Sequence, residues 1–274
     1  MSERLRGVVL LTAAALAWSF GGIWIKLVSI HPMATAGMRS LIAGTIVLIY
    51  ARGIQQAPTR RQWLGAIAYA GTVTLFVLAT RASTAANAIL LQYTAPIWVA
   101  LASPWLLKEK IAAIDWGAIV LVVGGMVLLV IDRLVVGNIG GDIMAVASGI
   151  CFAMGIIALR GESQGSPLTI IIIGNAITAV IGLPFLAEQL PSGNDLVYLL
   201  LLGSFQLALG YILFARGVRY VSALEGTLIP MLEQILNPLW VVLFYGEQPT
   251  TLAFIGGAII IATVAARSMK GRDV

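Results

Sequence analysis

Four residues in one apolar stretch, Pro230, Glu233, Gln234 and Asn237, have the types and the spacing to hold a small polar molecule. They stand at i, i+3, i+4 and i+7, so a helix would set all four on one face. One protonatable carboxyl and two amides can hydrogen-bond an ammonium and a carboxylate together. A Glu midway along a membrane-length apolar segment is costly, and is normally tolerated only against a bundle interior or a wet cavity. Polar residues also tie membrane helices to one another, so a ligand site and a structural cluster both fit this spacing.

The stretch from Arg219 to Glu247 has an earlier counterpart from Arg81 to Glu109, with its Arg and Glu at the same interval. In that alignment Ala85, Leu90, Ile97 and Leu101 match Ala223, Leu228, Ile235 and Leu239, and Gln92 takes the position of Pro230. Tyr93, Pro96 and Trp98 belong to the same copy, with Trp98 over Leu236 and off the polar face. A Pro inside a helix frees a carbonyl. The carbonyl either faces a ligand where the kink lines a cavity, or the kink only serves packing. Pro96, Pro230 and Pro238 are therefore candidates for helix distortion or gating.

Trp18 and Phe152 lie on faces of small residues, Ala14, Ala17 and Gly21 in one case and Ser148, Cys151 and Gly155 in the other. Small residues let helices approach closely, and an aromatic beside them either fills a groove or stacks on a ligand. Cys151 reads as the small residue its place requires. Gln206 shares a face with Gly203 and Gly210, while Tyr211 lies on a different arc; both are candidate ligand contacts. Arg39, inside the second apolar segment, either snorkels to the outer interface or takes a carboxylate at a cavity mouth, and it is grouped with the gating residues. Arg81, Glu109, Arg219 and Glu247 read as gates or anchors.

The elements that must position these residues are membrane helices. The chain is 59% hydrophobic and 11% charged, with a mean hydropathy of +0.97, whereas a soluble domain is about a quarter charged. One Cys and one His leave no intrachain disulfide and make a Cys/His metal site improbable. No phosphate-binding Gly-rich loop with a Lys-Ser/Thr ending is present, and no cofactor is implied. The net charge of +5 sits in short loops between apolar segments, which points to membrane topology and not to nucleic acid. Arg4 and Arg6 before an apolar run containing Ala15-Leu16-Ala17 resemble a signal peptide, but the run continues to Ile25 and reads as an uncleaved first span.

A span needs about 20 apolar residues. Segments 7–26, 33–51, 62–80, 83–104, 112–131, 141–159, 167–187, 195–215, 222–243 and 250–267 give an expected all-α bundle of ten transmembrane helices. With the N-terminus inside, thirteen Lys/Arg fall at cytoplasmic ends, and only Lys26, Arg81 and Arg133 fall outside. That bias places both termini in the cytoplasm. Ala17-Trp18-Ser19-Phe20-Gly21 also falls over Cys151-Phe152-Ala153-Met154-Gly155. An odd number of spans in each copy predicts two inverted five-helix repeats, residues 1–136 and 137–274, an arrangement typical of secondary transporters with a midplane site.

These residues resemble the drug/metabolite transporter superfamily, and within it the EamA-type exporters. The resemblance rests on Ala17-Trp18-Ser19-Phe20-Gly21 with Lys26, on Arg39 after Pro32, and on Tyr93-Thr94-Ala95-Pro96-Ile97 before Lys108-Glu109-Lys110. Leu232-Glu233 with Gly246-Glu247 completes it. The chain departs from the family pattern where Glu233-Gln234 replaces Glu-Pro, with Pro238 farther on. It is most similar to bacterial exporters of aromatic and other amino acids. That similarity implies a central cavity and movement of amino acids out of the cytoplasm.

The expectation is thus a non-enzymatic exporter of the bacterial inner membrane, working by alternating access as a monomer or weak homodimer. Its partners are a small-molecule substrate and the bilayer, with no nucleic acid. Substrate contacts are expected from Glu233, Gln234, Asn237, Gln92, Tyr93, Trp18, Phe152, Trp98, Gln206 and Tyr211. Two alternatives are export of hydrophobic drugs or cationic toxins on the same fold, and an enzyme acting on a lipid-linked substrate within the membrane.

Overall fold

The computed structural model describes residues 2–131, 138–162, 166–236 and 250–269, and every regular element among them is helical. Helix boundaries follow cap chemistry. Helix α1 (Glu3–Trp18) starts where the Ser2 hydroxyl accepts from the Leu5 N–H, and after a break at Ser19-Phe20 it continues as α2 (Gly21–Leu27). Helix α3 (Pro32–Tyr50) opens on a Pro whose missing N–H costs nothing in a first turn. Helix α4 (Arg60–Ala82) opens on a reciprocal Thr59/Gln62 capping box.

Next come α5 (Ala85–Gln92), α6 (Ala95–Leu106), α7 (Ala113–Val130), α8 (Ile139–Arg160) and α9 (Leu168–Gly182). Helix α10 (Gly193–Leu201) passes into a π-helical stretch, Leu202–Leu209, and then into α11 (Gly210–Gly217). Helix α12 (Ala223–Leu228) tightens into a 3-10 turn at Ile229–Leu232, and α13 (Thr251–Met269) ends the description.

The expected ten spans in two inverted sets of five are corrected by this architecture. Among the described residues seven helices are long and apolar enough to cross a membrane. They are Glu3–Leu27, Pro32–Tyr50, Arg60–Ala82, Ala85–Leu106, Ile139–Arg160, Leu168–Ala187 and Gly193–Tyr220. The expected segments 112–131 and 250–267 appear as the shorter apolar helices Ala113–Leu129 and Thr251–Arg267. Of the expected segment 222–243, the described residues form the 6-residue α12, the 3-10 turn at Pro230 and a further helical turn over 233–236. Hydropathy counts apolar residues, whereas caps and prolines decide how far one helix runs.

The protein is therefore a multi-pass all-α bundle. Helix α4 lies at its centre, packed on α8, α9 and α3, while α1 lies against α11 and α7 pairs with α13. Its outer surface carries many exposed Leu, Ile, Val and Trp side chains, such as Ile49, Ile67, Trp105 and Val180, as a lipid-facing surface requires.

A polar cavity at the helix breaks

Three irregularities in the helices converge on one cavity. Between α5 and α6, Pro96 has no N–H to give the Gln92 carbonyl, so the helix breaks at Tyr93-Thr94. Helix α8 crosses that break at Gly149, where an added Cβ would stand 2.5 Å from the Gln92 oxygen; only a glycine lets the backbones meet there. Pro230 likewise cannot donate to Gly226, and the chain tightens to the 3-10 turn before Glu233. The π-helical stretch contains Gln206; such stretches are rare and frequently occur at functional sites.

The cavity is small, about 40 Å³ by the room it leaves for the centres of water molecules, enough for a few waters. Two ionisable side chains line it, Arg39 and Glu233. Arg39 is 1% exposed and does not snorkel. Its Nη2 donates to the Val73 carbonyl at 2.8 Å and its Nη1 to Gln206 Oε1 at 3.4 Å. Its Nε has no partner, and no carboxylate pairs with it, among the described residues. Tyr93 donates its hydroxyl to Glu233 Oε2 at 2.5 Å, with the Pro230 carbonyl a longer contact at 3.2 Å.

Gln92 gives its amide to Ser148 Oγ at 2.7 Å, and Ser148 passes a hydrogen bond to the Thr72 carbonyl at 2.9 Å. Between the two ionisable groups lies an aromatic wall. Trp18 meets Tyr211 at 4.9 Å and Phe152 at 5.9 Å between ring centroids, and Tyr93 meets Phe152 at 6.3 Å. Such separations and tilted rings suit the aromatic quadrupole. Trp18 fits because α11 presents Gly210, whose added Cβ would stand 2.4 Å from the indole nitrogen.

Of the residues singled out in the sequence, Trp18, Arg39, Gln92, Tyr93, Phe152, Gln206, Tyr211 and Glu233 all line this cavity. Trp98 does not; its indole donates to Thr94 Oγ1 at 3.2 Å one turn back. Gln234 is buried away from the wall, with its Nε2 unpartnered among the described residues. Pro96 and Pro230 sit at the helix breaks, while Asn237 and Pro238 lie outside the described residues. Thr72, Val73 and Phe76 of α4 and Leu207 also line the cavity and escaped sequence reading. Tyr69, Thr72, Val73 and Phe76 carry the same i, i+3, i+4, i+7 spacing as the ridge at Pro230, so the signal was present.

The model of the EamA-like transporter family matches residues 5–131 and 139–268. The chain belongs to the EamA-like transporter family. An uncharacterized protein of Pseudomonas aeruginosa is 28% identical over 236 residues, 82% of this chain and 81% of that protein. The uncharacterized transporter YdfC of Bacillus subtilis is 27% identical over 285 residues, covering 93% and 87%. An uncharacterized transporter of Archaeoglobus fulgidus is 26% identical over 195 residues, 70% of each chain. A crystal structure covering 99% of this chain and 100% of that chain has a TM-score of 0.83 at 18% identity, a likeness of fold alone. This is a family of transporters, not enzymes.

In this EamA-like transporter the start of α1 and the last turn of α13 lie together, with Arg4 donating to the Arg267 carbonyl at 3.4 Å. That end of the bundle is tied by ion pairs. Glu225 takes Arg4 at 2.5 Å and Arg267 at 3.7 Å, and Asp115 takes Arg267 at 2.7 Å. Glu109 accepts from the Ala223 N–H at 2.9 Å and lies 3.4 Å from Arg160. At the opposite end, among the described residues, polar contacts replace ion pairs: Lys26 donates to the Ser83 carbonyl at 2.9 Å, and Arg81 donates to the Val28 carbonyl. Asp195 accepts from the Ser29 N–H and hydroxyl. Arg219 borders a separate pocket, and Glu247 lies outside the described residues.

Proposed function

We propose that this transporter carries small zwitterionic metabolites, foremost amino acids with aromatic or apolar side chains, out of the cytoplasm across the bacterial inner membrane. One observation carries the reading: a buried guanidinium and a buried carboxyl line the same aromatic-walled cavity, the first donating to a backbone carbonyl and an amide, the second accepting from the Tyr93 hydroxyl. A substrate carboxylate takes the fork of Arg39, whose planar donors match two carboxylate oxygens. The substrate ammonium takes Glu233 in place of the Tyr93 hydroxyl. The apolar side chain packs against Trp18, Phe152 and Tyr211.

A permanent lipophilic cation would meet Arg39 as well as Glu233, which weighs against the drug reading. The cavity as it stands is too small for an amino acid, so passage requires alternating access, with residues 1–136 moving against 137–274. The Lys/Arg bias puts the ion-paired end in the cytoplasm, and those pairs part when substrate enters.

Counterflow in proteoliposomes tests this. Labelled phenylalanine should exchange with zwitterionic amino acids, and Arg39→Gln and Glu233→Gln should both lose exchange. Competition by lipophilic cations alone, or variants as fast as wild type, would overturn the proposal.

A further inference from the structure

A second pocket opens at the end of the bundle that carries both termini, with about 220 Å³ of room by the same measure. Arg6 of α1, Arg216 near the end of α11 and Arg219 beyond it converge on the pocket, and residues 166–168, which begin α9, form the facing wall. None of the three arginines has a carboxylate partner among the described residues, whereas Arg4, Arg160 and Arg267 at the same end are all ion-paired. Three like charges around one space repel unless an anion sits between them.

The side chains are also held in place. The Arg6 guanidinium lies 5.5 Å from the Tyr220 ring centroid, and that of Arg216 lies 5.0 Å from the Tyr50 ring. The N-terminal end of the 15-residue α9, where Ser166 Oγ accepts from the Leu168 N–H at 3.3 Å, faces the same pocket, and its positive end adds to the field of the arginines. Tyr50 and Tyr220 close the spans Pro32–Tyr50 and Gly193–Tyr220, which sets the pocket at the depth where bilayer headgroups lie. Arg52 and Arg60 are equally exposed but stand outside the pocket, so general enrichment in basic residues does not explain the convergence.

We propose that this pocket binds a phosphate group, carried either by the headgroup of an anionic phospholipid in the adjoining leaflet or by a soluble phosphate. Guanidinium forks match phosphate oxygens in pairs, and basic pockets between membrane helices take such headgroups. The pocket lies apart from the central cavity and its role stands independently of the transported substrate.

The test uses the full chain in mixed phosphatidylcholine and phosphatidylglycerol vesicles, extracted and weighed intact by native mass spectrometry. Arg216→Gln with Arg219→Gln should lower retained phosphatidylglycerol roughly 30-fold, and Arg6→Gln roughly fivefold. Arg60→Gln, the same charge change outside the pocket, should leave retention unchanged. In a second arm, inorganic phosphate is titrated into protein in phosphatidylcholine alone. Saturable thermal stabilisation that Arg6→Gln weakens assigns the site to a soluble phosphate. Should the double variant not fold, Arg6→Gln against Arg60→Gln decides both arms. Equal lipid loss in Arg60→Gln, or no saturation in either arm, would overturn the proposal.

Discussion

Two regions of this transporter bury charge, and they satisfy it in opposite ways. At the termini-bearing end Glu225, 2% exposed, takes Arg4 and Arg267 directly. In the central cavity Arg39 leans on a backbone carbonyl and an amide, and Glu233 on a phenol. The first arrangement is a clamp, because each charge already has its opposite. The second keeps a guanidinium and a carboxyl desolvated within one space, a costly state.

The sharpest way to break the comparison is to remove the clamp. Glu225→Ala leaves Arg4 without its carboxylate while Arg267 keeps Asp115, and breaking a buried pair costs about 3–5 kcal/mol. Thermal unfolding should show that loss while amino-acid competition in counterflow keeps its order. A loss of selectivity instead would mean that the two regions are one site.

At the centre the expected losses are in rate. Arg39→Gln removes a charged donor pair, worth roughly 10–100-fold in exchange of zwitterions, and Arg39→Lys should recover little of it because an ammonium lacks the fork. Glu233→Gln should flatten the pH profile of exchange: under the proposed role of Glu233, protonation of its carboxyl at falling pH would remove the partner of the substrate ammonium. A variant with an unchanged profile would take Glu233 out of the mechanism. The smallest effect belongs to Tyr93→Phe, which takes one hydrogen bond from Glu233 and should change apparent affinity by about 1 kcal/mol, with little change in maximal rate.

How much of this was legible in the sequence depended on what each residue's neighbours decide. Trp18, Phe152, Gln206 and Tyr211 stood out as isolated polar or aromatic groups in apolar runs, and the structure gathers them around one cavity. The ridge at Pro230 was read with α-helical pitch, but the turn over Ile229–Leu232 is tighter. At about three residues per turn it changes the offset between Pro230 and the residues after it, and of these Glu233 lines the cavity while Gln234 does not. Arg39 could reach an interface or a cavity by sequence alone, since a long side chain snorkels either way; only packing against α4 and the π-helical stretch decides. The span count differs because, among the described residues, the helices within 112–131, 222–243 and 250–267 fall short of the length of the seven that can cross a membrane.

The π-helical stretch at Leu202–Leu209 stores one surplus residue in the tenth helical run. Were that surplus released to ordinary pitch, everything beyond it would swing by about 100° around the helix axis. Gln206 would then leave the guanidinium it touches, and Tyr211 would turn with it. One local rewinding would thus disengage the amide and an aromatic face in a single motion.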